Sequence, residues 1–402
     1  MRRLCIAALL ALLLPLLSGC TDGMELEEHA FALAMAVDRT PAGQIRLSVQ
    51  LLSGGGAAQE GGEQQGGSGG GSGEGSGGES GGQETALSQN GYLIVSATGE
   101  DYPHALSLMT ASVPRKLSLS HLRVVVISEE IARTDAFYPL LMQLQASCEA
   151  EESAYLVISR GDARELVASQ RPYIGSRLSR YLETMFSYYD GLGYIPSSRL
   201  GDVMRTMTVR VGDPAVIYAA VQEEDAPQAQ AKANPLDAMA GELPRESVGR
   251  VEYMGAAVFS GQRMTGLLTG AQVQLLRMLT GAFDQCPYFL GGEEYTLRQA
   301  GRSRLSLSQD GARAVLSAQV YLEAEKTLPA DADEQALRAQ LESELLAVLQ
   351  RVQQLGSDCA GFGRLAIRRC ATIEAWEATD WKSIYASAGL QVSVSLRLVE
   401  KG

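Results

Sequence analysis

Histidine is nearly missing from this chain. Its 402 residues hold three, His29, His104 and His121, and none stands in an HExxH or comparable ligand spacing, so acid–base and zinc chemistry lose their usual imidazole. Each histidine therefore reads as structural. The cysteines, Cys5, Cys20, Cys148, Cys286, Cys359 and Cys370, form no CxxC pair, which excludes a zinc knuckle and a thioredoxin-type redox centre. Adjacent carboxylates occur at Glu27-Glu28, Glu129-Glu130 and Glu293-Glu294. Neighbours in sequence point apart on a strand or helix, so they do not build a two-carboxylate hydrolase site by themselves. A Gly-x-Ser-x-Gly pattern appears only inside a glycine-rich run, without the strand and helix that a nucleophile elbow needs. The residues offer no catalytic constellation, no metal site and no cofactor site.

Basic charge is also short. The chain carries 34 Lys and Arg against 47 Asp and Glu, a net charge of -13, and loss of a leader containing Arg2 and Arg3 deepens it to about -15. Such a balance argues against nucleic acid as a partner and against electrostatic adhesion to anionic lipid. Beyond residue 20, no apolar run approaches the ~20 residues needed to cross a bilayer. Transmembrane work then belongs to a partner.

The first twenty residues are what the chain does have. Arg2 and Arg3 precede an apolar stretch over 4–17, and Leu17-Ser18-Gly19-Cys20 closes it with small residues before a cysteine. The stretch is too short to span a membrane and has the exit of a cleaved secretory signal; its end is a lipobox. Cleavage after residue 19 is expected, with Cys20 lipidated as the first mature residue; two acyl chains anchor stably where one would be reversible. Cys148, Cys286, Cys359 and Cys370 then remain outside the cytoplasm. Cys359 and Cys370 are the nearest possible pair, but buried free thiols are the favoured reading.

Along the mature chain, 44–52 alternates Ile45, Leu47, Val49 and Leu51 with polar neighbours, the period of a half-buried strand. Residues 53–84 collapse to Gly, Ser, Gln and Glu, too poor in apolar side chains to offset ordering entropy. They read as a disordered insert between two strands of one sheet, since strand character resumes at 92–97. A helix over 101–112, a doubly buried strand over 124–127, a helix over 137–146, a strand over 154–159 and a helix over 161–169 follow in an alternating pattern. Tyr181, Phe186, Tyr188, Tyr189 and Tyr194 form an aromatic cluster that closes a domain edge, with a ligand pocket or a partner surface as the alternatives. Residues 215–221 are strand-like, and 222–246 looks like a linker. The last region reads as a strand over 249–259, a turn, 264–268, a helix over 270–279, and strands at 304–308 and 314–322. A long helix over 333–355 has Leu337, Leu341, Leu345, Leu349 and Val352 on one stripe, Asp331 with Glu334 as a capping box, and Gly356 as its stop. Trp376 and Trp381 lie in an irregular or helical segment before a closing strand at 391–399.

Several of these residues fall in a recognisable order. Gly19-Cys20 with Asp22, Glu25 and Leu26, then 34–38, Ser96 with Gly99, 117–133 with His121, Arg123 and Glu129, and 161–166 resemble the Ger(x)C family, the C-subunit lipoproteins of spore germination nutrient receptors. The resemblance continues through Gly255-Ala256-Ala257-Val258-Phe259 to Gly266, Asp358 with Gly361-Phe362-Gly363, and Trp381, and so covers nearly the whole mature chain. Thr21 stands where the family usually has a tryptophan, and the insert over 53–84 is foreign to the pattern. The resemblance implies a multidomain α+β fold of mixed sheets flanked by helices, in three domains. Here a signal peptide over 1–19 precedes an N-terminal domain over 20–185, a middle segment and linker over 186–248, and a C-terminal domain over 249–402. It also implies a non-catalytic subunit of a germinant receptor, lipid-anchored by Cys20 on the extracytoplasmic side of the spore's inner membrane. Membrane-embedded A-type and B-type subunits would be its partners. The alternative is a ligand-binding lipoprotein that feeds a membrane transporter, with a pocket near the tyrosine cluster.

Overall fold

The computed structural model describes residues 28–52, 92–147, 152–172, 177–222, 234–243, 249–290, 293–311, 313–326 and 333–399. The lipobox with Cys20, the glycine-rich insert, Cys148 and Asp331 lie outside them. The described residues form a multidomain α+β fold built on two sheets.

The larger sheet has nine strands. Its centre is parallel: β1 (His29–Arg39), β5 (Val124–Ser128), β6 (Tyr155–Arg160) and β7 (Ala215–Val221). On one side β2 (Ile45–Leu52) and β3 (Tyr92–Gly99) continue it antiparallel. On the other, β8 (Val251–Ser260) and β9 (Arg263–Leu268) do the same, and β4 (Lys116–Ser118) pairs with the start of β1. The expected strands at 44–52 and 92–97 are thus direct neighbours across the insert, with Leu52 opposite Tyr92.

All five residues of β5 are buried, because helices cover both faces of a parallel sheet. Val125 and Ile127 face one core with Tyr102 and Met109 of α1 (Tyr102–Ser112), Leu141 of α3 (Phe137–Ser147) and Met204 of α6 (Leu200–Val209). A short helix, α2 (Glu129–Ala132), lies between β5 and α3. Val124 and Val126 face the opposite core, with Leu166 of α4 (Ala163–Ser169) and Leu182 and Phe186 of α5 (Leu178–Gly191).

Strand pairing runs across the boundaries expected near 185 and 248. β7 and β8 pair directly, and Gly255 is where their register slips by one residue: Ile217 sits opposite Ala256, but Ala219 opposite Tyr253. Gly255 has φ 85, and a Cβ there would lie 2.4 Å from the Leu268 carbonyl oxygen. Only glycine fits such a bulge. The slip changes the phase of the strand, so Ala257 and Phe259 face the first core while Ala256 and Val258 enter the core of the second sheet. Part of the expected linker is also packed. Ala240 is fully buried, its N–H donates to Met254 O (3.1 Å), and the Gly241 N–H donates to a Glu252 carboxylate oxygen (2.6 Å).

The second sheet centres on β13 (Arg313–Lys326), which pairs in parallel with β14 (Gly389–Val399) along one edge. Its other edge is shared by β12 (Arg304–Asp310) and β11 (Glu293–Gln299), with β10 (Gln285–Leu290) outermost. Helices α7 (Gly270–Thr280) and α8 (Glu334–Gln354) cover one face. The leucine stripe of α8 is buried as expected. Its cap differs from the expected Asp331–Glu334 box: Asp333 is the N-cap and accepts from the N–H groups of Gln335 and Ala336, both 3.0 Å. The shorter reach from Asp333 satisfies the first-turn donors directly. Gly356, at φ 66, stops the helix. Three short helices precede β14, α9 (Gly363–Ile367), α10 (Ile373–Glu377) and α11 (Trp381–Ser387). No helix among the described residues is long and apolar enough to cross a membrane.

Candidate functional site

The most concentrated polar arrangement lies where the two sheets meet. Helix α6 ends at Arg210, the one non-glycine residue among those described with positive φ (55°), and Gly212-Asp213-Pro214 leads into β7. The Asp213 carboxylate is buried. It accepts from the N–H of Gly261 in the β8–β9 turn (2.7 Å), from the N–H of Asp358 (2.7 Å) and from the Lys382 ammonium. Lys382 Nζ also donates to Gly356 O (3.0 Å) and Ser260 Oγ (3.2 Å).

Asp358 turns its side chain back on its own loop. It accepts from the N–H groups of Gly361 (3.1 Å), Phe362 (2.9 Å) and Gly363 (2.6 Å), and from Trp381 Nε1 (3.1 Å). The motif tolerates no side chain at residue 363, where a Cβ would sit 2.0 Å from Val211 O. Burial pushes the Asp358 carboxyl up to about 6, against the pull of those N–H donors toward the ionised form. This clasp ties the end of α6, the β8–β9 turn, the end of α8 and the start of α11 together. Beside it opens a cavity of ≈ 870 Å³ lined by Trp376, Ile373, Val209, Met207 and Tyr138, with Asp380 and Lys382 on its polar side. Ile373 and Val209 are 70% and 55% exposed.

A second clasp holds the opposite side of the large sheet. Asp38, buried at the end of β1, accepts from the N–H groups of Ala163 (2.7 Å) and Arg164 (3.0 Å) at the start of α4. Arg46 bridges Asp38 (3.1 Å) and Asp162. Arg164 Nε reaches Ser96 Oγ (3.2 Å), which pairs with Ser48 (2.7 Å). Burial raises the Asp38 pKa, and the two N–H donors and Arg46 oppose the rise.

These positions can be compared with known proteins. The family described as "Spore germination protein N-terminal domain" matches residues 22–221, and "Spore germination B3/ GerAC like, C-terminal" matches 254–402. The chain belongs to the Ger(x)C family of spore germination proteins. It is 23% identical over 405 residues to "Putative spore germination protein YfkR" of Bacillus subtilis (strain 168), covering 96% of this chain and 94% of that one. It is 25% identical over 218 residues to "Spore germination protein KC" of the same organism, covering 54% of this chain and 49% of that one. Its fold resembles that in "Crystal Structure of the GerBC protein", with a TM-score of 0.51 at 15% identity over 91% of this chain and 96% of that one.

Some of the Ger(x)C resemblance residues meet at the two clasps: Asp38, Ser96 and 161–166 at one, Asp358, Gly361-Phe362-Gly363 and Trp381 at the other. Glu129 lies apart from both, accepting from Tyr218 Oη (2.6 Å) and Arg133 Nε (2.7 Å); burial and that carboxylate hold the Tyr218 hydroxyl protonated. His121 and His29 flank the Phe31 ring, at 4.7 and 5.6 Å between centroids, and His104 pairs with Asp101. Among the described residues no three His, Cys, Asp or Glu side chains group as metal ligands. Of the acidic pairs, Glu293 faces Lys326 (3.1 Å) and Glu129 takes the roles just given. Cys286, Cys359 and Cys370 are free thiols, and burial pushes Cys286 up to about 12.

The aromatic cluster divides. Phe186 is buried between Tyr155 and Tyr253, Tyr181 and Tyr189 pack at the margin of that core, and Tyr188 is 63% exposed. The residues that sequence reading missed are Asp213 and Lys382, and the pair formed by Arg277 on α7 with Asp190 on α5 (2.9 Å). Asp213 sits in a Gly-Asp-Pro turn, a loop signal that says nothing of a partner 145 positions away.

Proposed function

We propose that this Ger(x)C protein is the lipid-anchored C subunit of a spore germinant receptor complex, a non-catalytic part required for nutrient-triggered germination. Cys20 holds it on the extracytoplasmic side of the spore's inner membrane, beside membrane-embedded A-type and B-type subunits. The observation that carries the reading is family membership across both halves of the chain, beginning just after a lipobox cysteine. The clasps fit a scaffold. Each spends its carboxylate on backbone and cationic donors within the fold, as a group that fixes the arrangement of elements does. A lipid tether raises the effective concentration of such a body near membrane partners.

Cys20→Ala is expected to abolish incorporation of labelled palmitate and to weaken nutrient-triggered germination. Unchanged labelling would refute the anchor. Recovery of the tagged protein from membranes without any polytopic partner would refute the receptor assignment. The ≈ 870 Å³ cavity favours one other reading, a ligand-binding lipoprotein that feeds a transporter. A nutrient that raises the melting temperature of the wild type and not of Trp376→Ala would favour it.

A further inference from the structure

Cationic side chains are outnumbered in the whole chain, yet they are unevenly placed. A cleft of ≈ 720 Å³ beside the first half of α5 is lined by Arg123, Arg177 and Arg180, with the hydroxyls of Thr184 and Ser187 and a single carboxylate, Glu183. Guanidinium groups beside hydroxyl donors are the chemistry that recognises phosphate.

The position of the cleft gives that chemistry a context. The Arg123 N–H donates to Leu33 O of β1 (2.9 Å), and the Leu178 N–H at the start of α5 donates to Tyr92 Oη at the start of β3 (3.1 Å). β1 and β5 are parallel and β2 is antiparallel to both β1 and β3, so β1, β3 and β5 all begin at this end of the sheet. It is also where the chain enters the fold from Cys20. There β4 sets Lys116 opposite His29, with Arg115 just before it, both exposed. Arg115, Lys116, Arg123, Arg177 and Arg180 thus stand at one end, beside Glu28, Glu152 and Glu183. The tether carries Asp22, Glu25 and Glu27, so the excess of cations is confined to the cleft itself, three arginines to one carboxylate. Tyr188, whose ring and hydroxyl suit a boundary between apolar and aqueous surroundings, lines the same cleft.

We propose that this end of the molecule rests on the bilayer, with the arginine cleft holding the phosphate headgroup of an anionic phospholipid. The orientation rests on the lipid-anchor reading: residues 21–28, even fully extended, reach only about 30 Å, so a lipidated Cys20 keeps this end at the surface. The cleft's affinity for headgroups does not depend on that reading. Since the rest of the chain is acidic, attraction to an anionic surface is confined to one face and weakens with salt.

The test uses the mature chain from residue 20 carrying Cys20→Ser, which has no lipid of its own. Its sedimentation is measured with vesicles of phosphatidylcholine alone and of phosphatidylcholine mixed with phosphatidylglycerol. Arg123 and Arg177 also engage their own fold, so the variant is Lys116→Gln/Arg180→Gln, both exposed. The control makes the same charge change on the second sheet, Arg302→Gln/Arg304→Gln. The expected result is binding to the anionic vesicles only, reduced roughly 25-fold in Lys116→Gln/Arg180→Gln at about fivefold per charge, and little changed in the control. Equal binding to both vesicles, equal loss in both variants, or full release from the anionic vesicles by inorganic phosphate at the same concentration as the lipid phosphate would overturn the proposal. Loss of palmitate labelling in Cys20→Ala reports on the anchor alone, so failure of one reading is told from failure of the other.

Discussion

The two sheets solve burial differently. In the nine-stranded sheet the central strands are covered on both faces, and β5 has no exposed residue. In the five-stranded sheet α7 and α8 cover one face, and the other is polar: along β14 only Val394 is buried, while Gln391, Ser393, Ser395 and Arg397 are exposed. A side chain in the first sheet is therefore held from every direction. One at the margin of the second has room to relax, and that difference sets the scale of what substitutions cost.

Ile127→Ala and Leu398→Ala test this most strongly. Ile127 is fully buried in the first core, and its truncation leaves a cavity that neighbours on two faces cannot fill, at a cost of about 2–5 kcal/mol. Leu398 is partly buried, and its cost should be nearer 1 kcal/mol. Urea unfolding measures both, and equal losses would erase the distinction.

The same contrast explains what could be read in advance. The run Val124-Val125-Val126-Ile127 declares a doubly buried strand, and the leucine spacing of α8 declares its stripe, because both patterns are local. Helices α5 and α6 keep the helical period, Leu178, Leu182 and Phe186 in one and Leu200, Val203, Met204 and Met207 in the other; in α5 the tyrosines stand out instead as an aromatic cluster, and in α6 the β-branched Thr206 and Thr208 lower helix propensity. β10 and β11 flank Gly291-Gly292, a hairpin signal that the half-buried, mixed composition of both strands obscures. Of the candidate site, Asp358 with its glycines was visible as a motif, since three of its donors lie within five positions of it. Asp213 was not, because its partners Gly261, Asp358 and Lys382 come from three separate segments and only the folded chain brings them together. Net charge has a related limit, as a sum over the chain carries no information about one end of a sheet.

The clasps sharpen the comparison through pH. Asp358 accepts only N–H donors, and burial raises it to about 6 from an ordinary 3.8. A folded-state value above the unfolded one means that folding takes up a proton in between. Its stabilising contribution is thus complete below about pH 4 and lost as pH rises through about 6, a span worth roughly 3 kcal/mol. Asp358→Asn removes this titration, so the wild type should lose stability relative to the variant as pH rises from 4 to 7. Both tryptophans, Trp376 and Trp381, lie at this junction, so their fluorescence follows its unfolding directly. A difference independent of pH, or one growing the other way, would show that Asp358 is ionised throughout.

The smallest expected effect separates ion pairs of the two sheets. Arg46 bridges the buried Asp38 and the cap of α4, with 28% of its side chain exposed, whereas Arg397 meets Glu323 on the open face with 71% exposed. Solvent screens the second pair, and holding two long side chains in one geometry costs entropy, so its coupling energy should be 0–1 kcal/mol and vanish in high salt. Removing Arg46 instead leaves Asp38 with only its two N–H donors and strips charge compensation from a buried carboxylate, so its coupling should exceed that of the exposed pair and survive salt. Double-mutant cycles on Arg46 with Asp38 and on Arg397 with Glu323, at low and high salt, measure both. If the two couplings fall together as salt rises, Asp38 is reached by solvent, and the two-sided sheet protects its apolar strands without protecting the clasp at its end.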